Sequence, residues 1–199
     1  MREDELATQV VDHYAAVHDD PTVRVEEPYD ADGRRGVVDV YVRLRAPERV
    51  DHVVELKSDA AVRRATGANE VLRQYRRMER YFHADPAHAI RPKLRRTGPG
   101  ARFLLCFAPT PTCVYHVATH RTLYASVEAT GRVDDVPAVR TVAFLTGLDG
   151  DPADLGFVSI NADAPFGSDA FFEAVPPDSR LADSLDRVDD EVIGPDGSD

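Results

Sequence analysis

Gly36-Val37-Val38-Asp39-Val40-Tyr41-Val42-Arg43-Leu44 and, after a short proline-containing loop, His52-Val53-Val54-Glu55-Leu56-Lys57 decide how this chain reads. Both stretches are rich in β-branched residues, which pack well on a pleated surface, and both read as strands. Side chains alternate faces along a strand, so Glu55 and Lys57 share one face while Val54 and Leu56 take the other. A carboxylate and an ammonium beside a largely apolar strand are costly to bury unless they pair or hold a metal. Asp39 is anomalous in the same way: it interrupts Val37-Val38-Asp39-Val40, where a purely structural strand carries another aliphatic. If the two strands are neighbours, Asp39 and Glu55 can converge on one point.

Working outward, Leu6, Val10, Tyr14 and Val17 recur at helical steps with acidic residues between them, so residues 3–18 read as an amphipathic helix ended by Asp20-Pro21. Val23–Glu27 reads as a short strand and Asp30–Arg35, with Gly33, as a turn. Ala60–His83 reads as one long helix whose apolar stripe is Val71, Tyr75, Met78 and Phe82. Phe103–Ala108 is a strongly apolar strand. Val114–Ala118 and Leu123–Val127 suggest further strands, and Val136–Leu145 a helix. Beyond Pro176 the chain is acidic and poor in large apolar residues, which predicts a weakly ordered tail. The order predicts an α/β fold: a mixed sheet flanked by helices, with an αβββαβ core over residues 3–108 and a β/α extension over 109–175. Residues 1–175 form one domain in this reading and 176–199 the tail.

Composition narrows the function. The net charge of −11 argues against a polyanionic partner until its distribution is read. Residues 1–56 carry −7 and residues 103–199 carry −12, whereas residues 57–102 carry +8. Asp outnumbers Glu 24 to 11 and Arg outnumbers Lys 22 to 2, a balance that resembles salt-adapted cytosolic proteins. No apolar run approaches the ~20 residues that cross a bilayer, and the acidic start is wrong for a secretory signal, so a cytoplasmic protein without a membrane partner is expected. Cys106 and Cys113 are too few for a disulfide framework.

Two converging carboxylates make a hard oxygen site suited to Mg²⁺, with Mn²⁺ able to substitute. Such an ion polarises a phosphodiester and activates water, and a neighbouring lysine can orient that water or stabilise charge on phosphate. The use of Lys at 57, in a chain that writes Arg almost everywhere else, sets that position apart, because an ammonium has a movable pKa and a guanidinium does not. The competing reading is a structural ion pair of Lys57 with Glu55 or Asp39. The helix arginines at 73, 76, 77 and 80 read as a solvated face, opposite the stripe that Gln74 borders. The loop arginines and lysine Arg91, Lys93, Arg95, Arg96 and Arg102 read as better phosphate contacts. Cys106, Cys113, His116 and His120 lack the tight cysteine pair of a zinc site. Neither a Gly-x-Ser-x-Gly elbow nor a Walker loop is present.

Gly36-x-x-Asp39, Val53-Val54-Glu55-Leu56-Lys57 and a following helix with Gln74 together resemble the PD-(D/E)xK nuclease superfamily. The resemblance spans roughly residues 3–108. It implies a restriction-endonuclease-like fold, Asp39 and Glu55 as metal-binding acids, the main-chain carbonyl of Leu56 as a further ligand and Lys57 as the catalytic lysine. Glu3-Asp4-Glu5-Leu6 is similar to the start of archaeal Holliday-junction resolvases, which implies Glu3, and after it Glu5, as an additional acid. Recombination-type exonucleases of the superfamily carry Gln-x-x-x-Tyr; Gln74 matches, but Met78 stands in the tyrosine position, with Tyr75 and Tyr81 nearby. The implied function is Mg²⁺-dependent hydrolysis of DNA, RNA not excluded, in repair, recombination or defence, and a homodimer is a reasonable expectation. The alternative is a catalytically inactive nuclease-fold module that binds nucleic acid or a partner.

Overall fold

The structure, a computed structural model, describes residues 1–31, 34–45, 50–64, 67–83, 101–133, 136–147, 150–161 and 164–188. The elements run α1 (Glu3–Val17), β1 (Thr22–Ala31), β2 (Arg34–Leu44), β3 (Val50–Lys57), α2 (Asp59–Arg64), α3 (Ala68–His83), β4 (Ala101–Phe107), α4 (Pro111–Thr119), α5 (Arg121–Ala125), β5 (Thr130–Val133), β6 (Val136–Leu145), a 3-10 turn (Pro152–Asp154), β7 (Phe157–Ser159), α6 (Asp169–Ala174) and α7 (Arg180–Leu185). The strands form one mixed sheet in the order β1-β2-β3-β4-β6-β5, with β7 paired to the end of β6. β1, β2 and β3 are antiparallel neighbours, whereas β3, β4 and β6 run parallel. The expected α/β sandwich with its αβββαβ core is therefore present. No described helix is long and apolar enough to cross a membrane.

Parallel strands lie buried under helices, and the sequence obeys that requirement. Phe103, Leu105, Cys106 and Phe107 of β4 and Val142–Leu145 of β6 have no exposed surface. α1 lays Leu6, Val10 and Tyr14 on the side of the sheet that carries His52, and the Tyr14 hydroxyl meets His52 Nδ1 at 2.8 Å. α3 covers the other side with Val71, Leu72, Tyr75 and Met78, and the Tyr75 hydroxyl donates to the Phe103 carbonyl at 3.1 Å.

Five local expectations are corrected. Ala60–His83 is two helices, α2 and α3, separated at Gly67, whose φ of +120° ends helical continuity. Val114–Ala118 and Leu123–Ala125 are helical, and Ser126–Val127 a turn, rather than extended. Thr110 caps α4 by accepting the Cys113 N–H at 3.3 Å and Pro111 opens its first turn, so end signals override the β-branched content. Val136–Leu145 is strand β6, because a strand buried on both faces loses the alternation that marks a half-buried one. Residues 176–188, assigned by composition to a weakly ordered tail, instead carry α7. Ser179 caps it, Leu181 and Leu185 are buried, and the Ser184 hydroxyl donates to the Pro109 carbonyl at 2.9 Å. Three well-placed anchors suffice where average polarity suggested none.

Candidate active site

Val40 pairs with Val54, and the β2–β3 ladder extends from there toward Leu44 and Val50 but not beyond Val40 in the other direction. One residue further along stand Asp39 and Glu55. Where the ladder stops, Asp39 Oδ2 accepts the main-chain N–H of Leu56 at 2.6 Å, so its carboxylate replaces the missing strand partner. Main-chain amides point along the plane of a sheet, which places the Asp39 carboxylate in the gap between the strands rather than over either face.

Glu55 and Lys57 project from the α3 side. The Lys57 ammonium donates to Glu55 Oε1 at 2.7 Å and to Gln74 Oε1 at 3.1 Å. Lys57 is buried, and its own carbonyl accepts the Ala108 N–H at 3.0 Å, which locks the end of β3 to the start of the turn before α4. Glu3 arrives from the opposite side on α1. It lines a pocket of about 550 Å³ with Asp4, Glu26, Asp39 and Leu56.

The electrostatics tie these residues together. Burial first, and the Glu55 carboxylate second, push the Asp39 carboxyl up to about 7; Glu3 adds to the rise, while the Leu56 N–H and Lys57 oppose it. Asp39 thus senses Glu55, Lys57 and Glu3 at once. Among the described residues no three His, Cys, Asp or Glu side chains close into a metal cage. Mg²⁺ takes one or two carboxylates and keeps its waters, and a half-buried carboxylate such as Asp39, whose neighbours repel its charge, is relieved by a divalent cation. The residues present fit that ion.

Of the residues expected at the site, Asp39, Glu55, Leu56, Lys57, Gln74 and Glu3 are brought together. Glu5 is not: its carboxylate accepts the Arg2 main-chain N–H at 3.0 Å and pairs with the Arg2 guanidinium, an ordinary arrangement at a helix start. Arg102 is exposed and pairs in register with His52, whereas Lys57 pairs with Phe107. Five residues of strand put it about 17 Å from Lys57, at the opposite end of the sheet. Arg91, Lys93, Arg95 and Arg96 lie outside the described residues. Cys106 and Cys113 are buried; the Cys113 thiol contacts the Lys57 carbonyl at 3.5 Å, and His116 meets the Tyr124 hydroxyl at 2.8 Å.

Glu26 escaped the sequence reading. It stands opposite Asp39 between the pairs Val25↔Val40 and Glu27↔Val38, itself unpaired, with φ of 53°. A non-glycine residue in that region costs about 1–2 kcal/mol, and it interrupts the β1–β2 ladder opposite Asp39. The only trace in the sequence is the doublet Glu26-Glu27, which breaks strand alternation.

Comparison with curated proteins and with solved structures finds no match. A family model, the PD-(D/E)XK nuclease superfamily domain, matches residues 1–189. With a helix-flanked mixed sheet, an acid in the gap between β2 and β3 and a Glu-x-Lys pair on β3, this chain belongs to the PD-(D/E)XK nuclease superfamily.

Proposed function

We propose that the chain is a cytoplasmic, Mg²⁺-dependent nuclease that hydrolyses DNA phosphodiester bonds in repair, recombination or defence. The observation that carries this reading is the environment of Asp39: a half-buried carboxylate held by the Leu56 N–H at 2.6 Å in a pocket with Glu3, one residue past the ladder from Glu55, and pushed up to about 7 by burial and Glu55. A purely structural ion pair of Lys57 and Glu55 has no need of a second, repelled acid in the same gap.

Asp39, Glu55 and the Leu56 carbonyl, with Glu3 as an additional acid, would hold the ion, which when bound polarises the phosphodiester and acidifies water. Lys57 is fixed from two sides by Glu55 and Gln74, so its ammonium meets charge developing on phosphate without reorganising. The Leu56 N–H fixes the Asp39 carboxylate in the same manner. The α1 pocket opens Asp39 and Leu56 to solvent beside Glu3.

Nicking of supercoiled plasmid in concentrated KCl with Mg²⁺ or Mn²⁺ tests the reading beside Asp39→Ala and Lys57→Ala. Metal-dependent cleavage by the native chain, lost in both variants, is expected. Cleavage undiminished in both refutes the site, and no cleavage of plasmid, linear or branched DNA refutes the activity.

A further inference from the structure

The outward side of α3 joins directly to the lysine site. Gln74, whose side-chain oxygen holds Lys57, also lines an open groove of about 450 Å³ with Arg73, Arg76, Arg77 and, from α5, Leu123. Arg76 is shared with a second groove of about 390 Å³ bounded by Tyr75, Glu79, Ser126, Glu128 and Arg140; there Arg140 is neutralised by Glu79, so the basic part of the track is the first groove. The two grooves therefore follow one another along the helix, from the Lys57–Gln74 contact toward the point where Glu79 meets Arg140 at 2.7 Å.

The chemistry of this track is that of a phosphate binder. Arg73, Arg76 and Arg77 fall at helical steps of three and four, about 5–6 Å apart on one surface. Glu70 is the acid among them, 3.7 Å from Arg73, whose side chain is 77% exposed. Arg76 is exposed and has no ion-pair partner among the described residues. Guanidinium forks match the paired oxygens of a phosphate, and in a chain of net charge −11 the first groove sets three arginines against one carboxylate, Glu70. Arg73 and Arg76 are exposed, as a solvated face requires, and the groove they share with Gln74 brings that face to the edge of the lysine site.

We propose that this arginine-lined track along α3 binds the phosphodiester backbone of the nucleic-acid strand on one side of the scissile bond. Gln74 marks where the track meets the lysine. The proposal rests on the nuclease reading, and the experiment separates them.

Labelled DNA and RNA oligonucleotides are titrated with the full chain in EDTA, across a KCl series, by fluorescence anisotropy. Arg73→Gln with Arg76→Gln is compared with Arg45→Gln and Arg63→Gln, an equal charge change away from the track; circular dichroism and melting confirm the fold of each. The groove pair is expected to bind at least about tenfold more weakly and to flatten the slope of log affinity against log salt by about two, one per lost phosphate contact. The control pair is expected to change neither. Native affinity and slope in the groove pair overturn the proposal. So does equal weakening by the control pair, or a native chain that binds neither DNA nor RNA. A native chain that binds through the track yet never nicks plasmid upholds the track and sinks the nuclease reading. A native chain that nicks, with binding unaffected by the groove pair, does the reverse.

Discussion

Lys57 Nζ lies 3.1 Å from Gln74 Oε1, so a side chain of α3 fixes the ammonium at the end of β3. In the proposed nuclease Gln74 is a positioning residue, since it would reach the reaction only through the lysine. Gln74→Ala leaves the Glu55 contact in place and frees the ammonium to swing. Small misplacements of a catalytic group cost up to about a hundredfold in rate. Plasmid nicking is expected to fall about 10- to 100-fold in kcat with little change in KM, while stability falls by only about 1 kcal/mol for one hydrogen bond. Gln74→Glu restores an acceptor but adds charge, which shifts the pH–rate profile. Native kcat and pH profile in Gln74→Ala would remove Gln74 from the site.

Asp39 sets a stability slope of defined sign. Its folded carboxyl sits at about 7 against an ordinary 3.8, so the native state holds a proton that the unfolded chain releases between those values. Stability from this group is therefore present at low pH and lost as pH rises toward 7. A rise of that size corresponds to at most about 4 kcal/mol. Asp39→Asn keeps an acceptor for the Leu56 N–H and abolishes the repulsion. Urea midpoints should show the variant more stable than the native chain above neutrality, the advantage shrinking toward pH 4. Mg²⁺ should stabilise the native chain and not the variant. A variant without its advantage at high pH, or with one independent of pH, shows that Asp39 is not under strain.

Much of this was legible because strand alternation is a strict rule: Glu55 and Lys57 had to share a face, and Asp39 had to break an aliphatic run. Gln74 was legible as the edge of a helical stripe. What escaped depends on geometry with no local code. Asp39 lies in the gap between strands, not on a face, because the ladder stops at Val40↔Val54. The left-handed Glu26 opposite it carries none of the glycine or asparagine that usually announces such a turn. Two of the reversed assignments in the extension have side chains that suit either state: Val114 and Val117, where Thr110-Pro111 decided the outcome as a helix start, and Leu123 in the short helix that follows.

Glu79 and Arg140 form a nearly enclosed pair, 8% and 14% exposed, joining α3 to β6. The attraction offsets desolvation only while both partners remain. Glu79→Ala strands a guanidinium against the core and is expected to cost about 3–5 kcal/mol in urea unfolding. Glu79→Met with Arg140→Met removes both charges and should restore most of that loss. A double variant as unstable as Glu79→Ala contradicts this account, and additive single effects in the cycle show that the pair does not couple.

His52 provides the opposite slope to Asp39. Burial lowers its imidazole to about 4, helped by Arg102 and His18, and its Nδ1 meets the Tyr14 hydroxyl at 2.8 Å beneath α1. The folded state refuses a proton that the unfolded chain accepts from 6.5 downward. Stability from this group is therefore complete above that value and falls as pH drops toward 4, by at most about 3 kcal/mol. His52→Gln cannot charge, so it should destabilise the chain near neutrality through lost packing against Tyr14 and lose less on acidification. The gap between native and variant midpoints is expected to narrow from pH 7 to pH 4. Because Tyr14 anchors the helix that carries Glu3, acid should loosen α1 first, readable as hydrogen exchange rising in residues 3–17 before β4. A gap of constant width across that range would show that His52 is not the group whose protonation releases the helix.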